Sequence, residues 1–328
     1  MKTIKKTIKK TISKYYAALF AVVLTFSAHA QNSDLQKFSQ PGYYEMALGD
    51  LTVIALSDGT VPQKLNELLK DAKPGEVKKL LNDHFQTETL ECSVNAYLVK
   101  SGSKVILIDV GTADAYGPSL GHLTASLEKI GYKPEQIDAI LLTHIHMDHI
   151  GGLTTGDKLT FPNADVYVSK IEADYYLSSS NKEKAPESMK NFFDGAVLKL
   201  SPIKKAGKLK TFEFGNEIFP GITPIASHGH TPGHSFYALE SKGQKMMFWG
   251  DIILSEVVQF ANPSITSLYD YDGKQAIITR KKALEDAAAK GYWVAISHSS
   301  FPGIGHIRAD DKKFKLIPIN YSSNGSGQ

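Results

Sequence analysis

One segment, residues 141–152, constrains the fold of this chain more than any other, because it places four potential metal ligands within six residues. It reads LLTHIHMDHIGG, and the four side chains are those of His144, His146, Asp148 and His149. The apolar run over residues 137–143 predicts a buried strand directly before them. From an extended chain the first three ligands project to one side, at positions i, i+2 and i+4, while the residues between them point into the core. The pair Gly151-Gly152 permits a sharp bend beside the ligands.

Imidazole and carboxylate groups are ligands for Zn²⁺ and similar divalent ions. The four groups cannot all bind one ion with good geometry, because Asp148 and His149 diverge from His144 and His146. Two ions about 3.5–4 Å apart account for all four. The alternative, a run of surface histidines on a loop, does not account for the buried strand before them or the glycine pair after them.

Three further features lie where predicted strands begin or end. They are the turn SHGHTPGH over residues 227–234, Asp251 after an apolar strand, and His298 after another. Taken alone, a strand-terminal Asp or His is more typical of a turn or cap. Together the three features supply what a two-metal site still lacks, namely one more ligand for each metal and a bridging carboxylate. From spacing alone, the turn leaves the choice open between His228, His230 and His234.

The first 30 residues have the layout of a secretory signal peptide. They open with MKTIKKTIKKTISK, which holds six lysines and no acid, and continue through an apolar run over residues 15–26 to SAHA. Such a run is too short to span ~30 Å of hydrocarbon as a membrane anchor. We therefore expect cleavage after Ala30 and a periplasmic or secreted protein that is not attached to a membrane.

Cleavage would also change the charge of the chain. The full sequence has a formal net charge of +3, but residues 1–30 hold six of its 37 basic side chains and none of its 34 acidic ones. The mature chain would carry a net charge of −3, which does not favour nucleic acid or an anionic membrane as a partner. Cys92 is the single cysteine, so no intramolecular disulfide is expected, and we interpret it as a buried filler rather than a nucleophile.

The periodicity of the remaining chain predicts an α/β protein, in which two mixed sheets pack as a sandwich with helices outside. Strands are predicted over residues 43–48, 51–57, 93–100, 104–109, 137–143, 165–169, 209–214, 222–227, 235–240, 245–249 and 293–297. Helices are predicted over residues 65–70, 76–84, 120–130, 171–177, 186–193 and 274–290. We expect one domain over residues 31–328, with a polar arm over 31–41 and a flexible tail over 322–328.

With these motifs in view, the chain resembles the metallo-β-lactamase superfamily over nearly the whole mature sequence. Four landmarks in order carry the resemblance: Asp109-Val-Gly111, Thr143–Gly152, Gly229-His-Thr-Pro-Gly-His234 and Gly250-Asp251. The resemblance implies an αββα sandwich, two mixed sheets flanked by helices, with the metals at one edge.

Carried over position by position, the resemblance assigns seven metal ligands. His144, His146 and His230 would hold one divalent ion, while Asp148, His149 and His298 would hold the other. Asp251 would bridge the two ions together with a hydroxide, so Asp148 and Asp251 are the predicted catalytic residues. Three further side chains would support the ligands by hydrogen bonds: Asp58, Asp109 and His234.

Within the superfamily the chain resembles most the methyl parathion hydrolase-like group, through residues 250–254 and 297–306. The corresponding substrate pocket would be lined by Tyr116, Tyr176, Phe193 and Leu254. Acyl-homoserine lactonases carry a tyrosine where this chain has Leu254, and β-lactam-hydrolysing members lack the equivalent of Asp251. The resemblance therefore favours other esters over acyl-homoserine lactones and β-lactams.

The resemblance implies a binuclear hydrolase that acts on neutral esters, namely lactones, aryl esters or organophosphate triesters. Its cofactors would be two divalent ions, Zn²⁺ in the first place, with Mn²⁺, Co²⁺ or Fe²⁺ as alternatives. Its partner would be a small-molecule ester, and the resemblance suggests a homodimer. Three other functions stay open: an acyl-homoserine lactonase, a thioester or phosphodiester hydrolase, and a metal-binding redox protein of the same fold.

Overall fold

The computed structural model describes residues 40–311 and 313–322. The predicted signal peptide, most of the polar arm and most of the C-terminal tail therefore lie outside the described residues. Within the described part of the chain, no helix combines the length and the apolar character that crossing a membrane would require.

Strands of two to fourteen residues are interspersed with helices along the described residues. The strands are β1 Tyr43–Leu48, β2 Leu51–Lys64, β3 Leu69–Lys70, β4 Thr89–Ser101, β5 Lys104–Ile108, β6 Ala139–Leu141, β7 Thr154–Thr155, β8 Lys158–Leu159, β9 Asp165–Ser169, β10 Leu209–Phe212, β11 Ile222–Ala226, β12 Ser235–Ser241, β13 Gln244–Phe248, β14 Thr266–Ser267, β15 Trp293–Ala295, β16 Ile304–Asp310 and β17 Lys313–Pro318. The α-helices are α1 Leu65–Leu68, α2 Glu76–Asp83, α3 Leu123–Lys129, α4 Met147–Ile150, α5 Lys170–Tyr176, α6 Ser179–Lys184, α7 Lys190–Lys205, α8 Glu256–Ala261 and α9 Gly273–Lys290. Short 3₁₀ helices cover Pro134–Gln136, Gly151–Leu153 and Glu187–Met189.

Most of the strands form two large mixed sheets. The larger has the order β1-β2-β4-β5-β6-β9-β10, antiparallel as far as β5 and parallel from β5 to β10. The smaller has the order β11-β12-β13-β15-β16-β17 and is antiparallel except for the pair β13–β15. The pairs β3–β14 and β7–β8 form separate ribbons.

The two sheets pack face to face, and helices cover both outer faces. In β2, Val53 and Ala55 belong to the core between the sheets, whereas Ile54 belongs to the core under α3, α5 and α7. In β12, Tyr237 lies between the sheets and Phe236 packs in the core that includes α9. Because successive side chains of a strand point to opposite faces, strands covered on both faces need continuous apolar runs. The predicted αββα sandwich is confirmed.

The structure corrects several predicted boundaries. The second strand does not end at Ser57, because a β-bulge between Ser57 and Gly59 lets β2 continue to Lys64. The predicted helix over residues 186–193 is a 3₁₀ turn followed by α7, which extends to Lys205 because its buried residues continue at helical spacing. Sequence reasoning missed the hairpin of β16 and β17.

Candidate metal centre

Seven histidine and aspartate side chains converge in two groups, on loops that follow β6, β11, β13 and β15. Within each group, one ligand atom per residue lies within 4.8 Å of the others. The first group is His144, His146 and His230, and the second is Asp148, His149, Asp251 and His298. The structure thus brings together every residue that the resemblance assigned as a metal ligand, in the same division apart from the bridging carboxylate.

The backbone after β6 changes conformation in the middle of the ligand segment. His146 is extended and caps α4, so Asp148 and His149 lie on a helical turn. The expectation that Asp148 continues an extended chain is therefore wrong. The glycine pair is also needed for a different reason than a bend. A Cβ atom at Gly151 would lie 2.2 Å from the carbonyl oxygen of Thr112, and one at Gly152 would lie similarly close to that of Val110. Only glycine therefore allows the two backbone segments to pack this closely.

Each ligand imidazole has one ring nitrogen next to a supporting group, and this leaves the other nitrogen facing the cluster. The supporting pairs are His144 Nδ1 with Thr143 Oγ1 at 3.1 Å, His146 Nε2 with Tyr176 Oη at 3.4 Å, His149 Nδ1 with Asp109 Oδ2 at 2.8 Å, His230 Nδ1 with Asp270 Oδ1 at 2.9 Å, and His298 Nδ1 with the Ser93 carbonyl oxygen at 2.9 Å. Such pairs fix the tautomer and the orientation of each ring before any ion binds.

Asp251 lies between the two groups. Its Oδ2 atom is 2.9 Å from His298 Nε2, 3.6 Å from His230 Nε2 and 3.8 Å from His144 Nε2. Its Oδ1 atom is 3.1 Å from His149 Nε2. One carboxylate therefore reaches nitrogens of both groups, which is the placement that a ligand shared by two ions requires.

The electrostatics of the cluster fit a bound cation. Burial lowers the pKa of His146 to about 3 and holds that of His144 well below its usual value. Burial opposes protonation of His149 and His298 too, but the nearby carboxylates, chiefly Asp251, outweigh it and raise the pKa of both rings. Without an ion, protons on these two rings balance the buried acids, and a metal would displace them.

Buried nitrogen and oxygen atoms that lack hydrogen-bond partners also fit a bound cation. Among the described residues, His144 Nε2, His149 Nε2 and Asp251 Oδ1 are buried without a well-formed hydrogen bond. Buried polar atoms are normally paired, and these three differ from other unpaired buried atoms of the described residues because they converge on one cluster, where an ion could bind them. Imidazole and carboxylate donors in this arrangement suit divalent ions, and the cluster is a divalent-metal site.

Two of the three predicted supporting residues contact the cluster. Asp109 accepts hydrogen bonds from the backbone and hydroxyl of Thr143, at 2.9 and 2.8 Å, in addition to that from His149. His234 Nε2 accepts the backbone N–H of Asp251 at 3.1 Å, so its Nδ1 atom carries the proton and donates to Ser227 Oγ at 2.7 Å. His234 therefore holds the backbone of Asp251, and neither of its ring nitrogens is left free to bind an ion.

Asp58 does not contact a ligand imidazole, and this expectation is wrong. Its buried carboxylate accepts backbone N–H groups of Thr112, Gly121 and Leu123 and the hydroxyl of Thr112, all at 2.9–3.1 Å. Those four bonds use its acceptor capacity on the loop over residues 112–123. Asp58 thus organises the loop that carries Tyr116.

Sequence reasoning missed Asp270 and Arg280. Asp270 accepts the ring N–H of His230, and its other oxygen lies 3.6 Å from the buried Arg280 guanidinium. Burial opposes ionisation of Asp270, but the hydrogen bond from His230 and the charge of Arg280 outweigh it and lower its pKa. Asp270 lies in a loop after β14 with no strand pattern around it, so no local pattern in the sequence indicates its role.

A cavity of about 120 Å³ adjoins the metal cluster. Tyr116 and Leu254 line it, as expected.

Tyr176 and Phe193 do not line the cavity, because both are buried in the core under the larger sheet, where the Tyr176 hydroxyl contacts His146. Phe192 stacks on His146 with ring centroids 4.4 Å apart and takes the expected place of Phe193, since adjacent helical residues point about 100° apart. Further apolar or aromatic lining residues are Val61, Cys92, Val94, Leu120 and Tyr269.

An αββα sandwich with paired His/Asp metal sites at strand ends defines a class of metal-dependent hydrolases. The chain belongs to the metallo-beta-lactamase superfamily, whose family model matches residues 89–298. The resemblance noted from the motifs is thereby confirmed at the level of the superfamily.

Individual similar proteins support this assignment. The crystal structure of the hydrolase AbOPH is 37% identical, with a TM-score of 0.83, over 87% of this chain and 100% of that one. AidC, a dizinc quorum-quenching lactonase, is 30% identical, with a TM-score of 0.81, over 86% of this chain and 99% of that one. A ribonuclease of Thermus thermophilus is 27% identical over 183 residues, which span 55% of this chain but only 40% of the ribonuclease.

Proposed function

We propose that this protein is an exported binuclear hydrolase that cleaves neutral esters, with lactones, aryl esters and organophosphate triesters as its substrate class. The observation that carries the proposal is the small, mainly apolar cavity against the metal cluster. A cavity of about 120 Å³ is below the ~300–1,000 Å³ usual for drug-sized ligands, so it suits a small ester or the reacting end of a larger one. Two ligand groups, and similarity to a dizinc lactonase, support two Zn²⁺ ions.

The charges of the cavity favour neutral substrates over phosphodiesters and nucleic acid. Apart from the histidines of the metal cluster, Arg280 is the only basic side chain among the described lining residues, and its guanidinium already donates to the carbonyls of Ile252, Pro263 and Ile265. It therefore has little capacity left for an anionic substrate.

Tyr116 and Tyr269 also line the cavity, and burial and the charge of Asp148 raise the pKa of both phenols. Both hydroxyls stay protonated at neutral pH and can donate to an ester oxygen.

Two bound divalent ions would supply a water of lowered pKa and an electrophile for the carbonyl or phosphoryl oxygen of the substrate. Asp251 would hold both ions, as its contacts with both ligand groups allow. Burial opposes ionisation of Asp148, but His149 and His298 lower its pKa, so its carboxylate can accept a hydrogen bond from the attacking water and orient it. Burial raises the pKa of Cys92 to about 12, which leaves too little thiolate for a nucleophile.

A substrate panel tests the proposal. We expect Zn²⁺- or Mn²⁺-loaded protein to hydrolyse an acyl-homoserine lactone, an aryl ester or a dimethyl aryl phosphotriester with kcat/KM about 100-fold or more above that for bis(4-nitrophenyl) phosphate. The reason is that the ions could pair with one oxygen of a phosphodiester, whereas its remaining charge would lie against mainly apolar lining, where no lysine or arginine among the described residues is free to pair with it. Metal-stripped protein is the control. Faster cleavage of the phosphodiester or of RNA would contradict the proposal and favour a nuclease, as the similarity to a ribonuclease would then suggest.

Export is proposed from residues 1–30, whose basic and apolar segments precede SAHA. We expect the mature protein, recovered from a bacterial host, to begin at Gln31 and to fractionate outside the cytoplasm. N-terminal sequencing of the full-length expression product checks this. An uncleaved cytoplasmic product in a host that processes a control signal peptide would contradict it.

A further inference from the structure

Glu172 is a buried carboxylate that no step of the proposed reaction uses. It lies in the first turn of α5 and is fully buried. Its Oε1 atom accepts the backbone N–H of Ile145 at 2.9 Å, and its Oε2 atom accepts that of Gly233 at 2.7 Å. Ile145 separates the first two ligands of the metal cluster, and Gly233 follows His230 by three residues. One side chain therefore joins the two loops that carry the first ligand group.

The start of α5 and the second of these loops are in close contact. A Cβ atom at Gly233 would lie 2.3 Å from the backbone nitrogen of Glu172 and 2.5 Å from Ser169 Oγ. The Ser169 hydroxyl donates to the Gly233 carbonyl oxygen at 2.7 Å and, as the helix cap, accepts the Glu172 N–H at 3.2 Å. Both polar backbone groups of Gly233 are thus held by the first turn of α5.

We propose that Glu172 is a positioning residue, which fixes the separation of the two loops so that His144, His146 and His230 converge on one ion. The inference rests on the proposed binuclear centre. A buried carboxylate is unfavourable unless it is well bonded, and the two backbone N–H groups, one from each loop, offset part of the cost of its burial. Outer residues that orient metal ligands typically contribute 10–100-fold in metal affinity.

The substitution Glu172→Gln tests this role with little change in volume. Each carboxylate oxygen accepts one N–H, whereas the amide has a single oxygen, so its NH₂ group must face the other N–H as donor against donor. We expect the Co²⁺ affinity of one of the two binding steps to fall about 10–100-fold, with the other step nearly unchanged. The d–d absorption of the weakened step should also shift, because its ligand geometry changes. Chelator competition and visible spectra, recorded without substrate, give both readouts.

Glu187→Gln is the matched control, because Glu187 is exposed and pairs only with Lys190 among the described residues. It should bind Co²⁺ as the unmodified protein does. Ser169→Ala provides a second variant that leaves the carboxylate in place, and we expect a smaller loss in the same binding step. Unchanged affinity and spectrum in a folded Glu172→Gln, or in Ser169→Ala if the former does not fold, would overturn the proposal. If the unmodified protein bound no Co²⁺, the binuclear centre itself would be wrong, independently of Glu172.

Discussion

Replacing Asp251 with alanine should lower kcat/KM for ester hydrolysis by more than about 10³-fold, beyond the 10–100-fold that the loss of an outer supporting residue usually causes. Asp251 is the carboxylate that reaches nitrogens of both ligand groups, at 3.1 Å on one side and 3.6 Å on the other. If Asp251 bridges two ions as proposed, its removal would take a ligand from both at once. We therefore also expect the Zn²⁺ content to fall from about two ions per chain to one or fewer.

The measurement combines steady-state kinetics with metal analysis of the same sample, after circular dichroism has shown that the variant is folded. Asp310→Ala removes an equivalent carboxylate from the surface, where it pairs with Lys315, and should leave activity and metal content unchanged. Asp251→Ala protein that kept both ions and most of its activity would show that the carboxylate does not bridge.

Removal of the metals should abolish hydrolysis and destabilise the protein. The seven side chains of the cluster are partly or fully buried, and without ions protons on His149 and His298 balance their carboxylates. An ion present at 1,000 times its Kd contributes about 4 kcal/mol to the folded state. For a domain of roughly this size, 1 kcal/mol shifts Tm by about 2–4 °C, so we expect a fall in Tm of on the order of 10 °C.

A chelator titration followed by calorimetry and activity assays measures both effects. Zn²⁺ or Mn²⁺ added back should restore activity and Tm together, whereas Mg²⁺, which prefers oxygen ligands, should restore little. Full activity in protein shown to hold less than about one tenth of an ion per chain would contradict metal-dependent catalysis, and would direct attention to the protein side chains of the cavity.

The cavity beside the centre shows where sequence comparison is limited. Phe192 and Phe193 are neighbours in the sequence, and either could be assigned to the cavity by alignment. The phase of α7 decides between them, because one ring stacks on His146 and the other packs in the core between Tyr175 and Tyr176. The packing of the helices also decides the place of Tyr176, whose hydroxyl reaches His146 but whose ring is buried away from the cavity.

The sequence by itself determined the local part of the centre. A buried strand followed by His144, His146, Asp148 and His149 places four ligands together, because residues so close along the chain cannot move far apart. The same local patterns, apolar runs and helical spacing, predicted the two mixed sheets and most of their strands. The helical turn of α4 at Asp148 could not be predicted, because the spacing of the four ligands is compatible with both a strand and a helical turn.

Only the tertiary structure decided which distant residues complete and support the centre. His230, Asp251 and His298 follow three different strands, and they meet because β11, β13 and β15 belong to one sheet. Asp270 and Glu172 carry no local signal at all. Their roles arise from the packing of a loop and of a helix start against the ligand loops, at sequence separations of 40 and 61 residues from His230 and Gly233. Contacts of this kind depend on strand order and layer packing, which residue spacing along the chain does not encode.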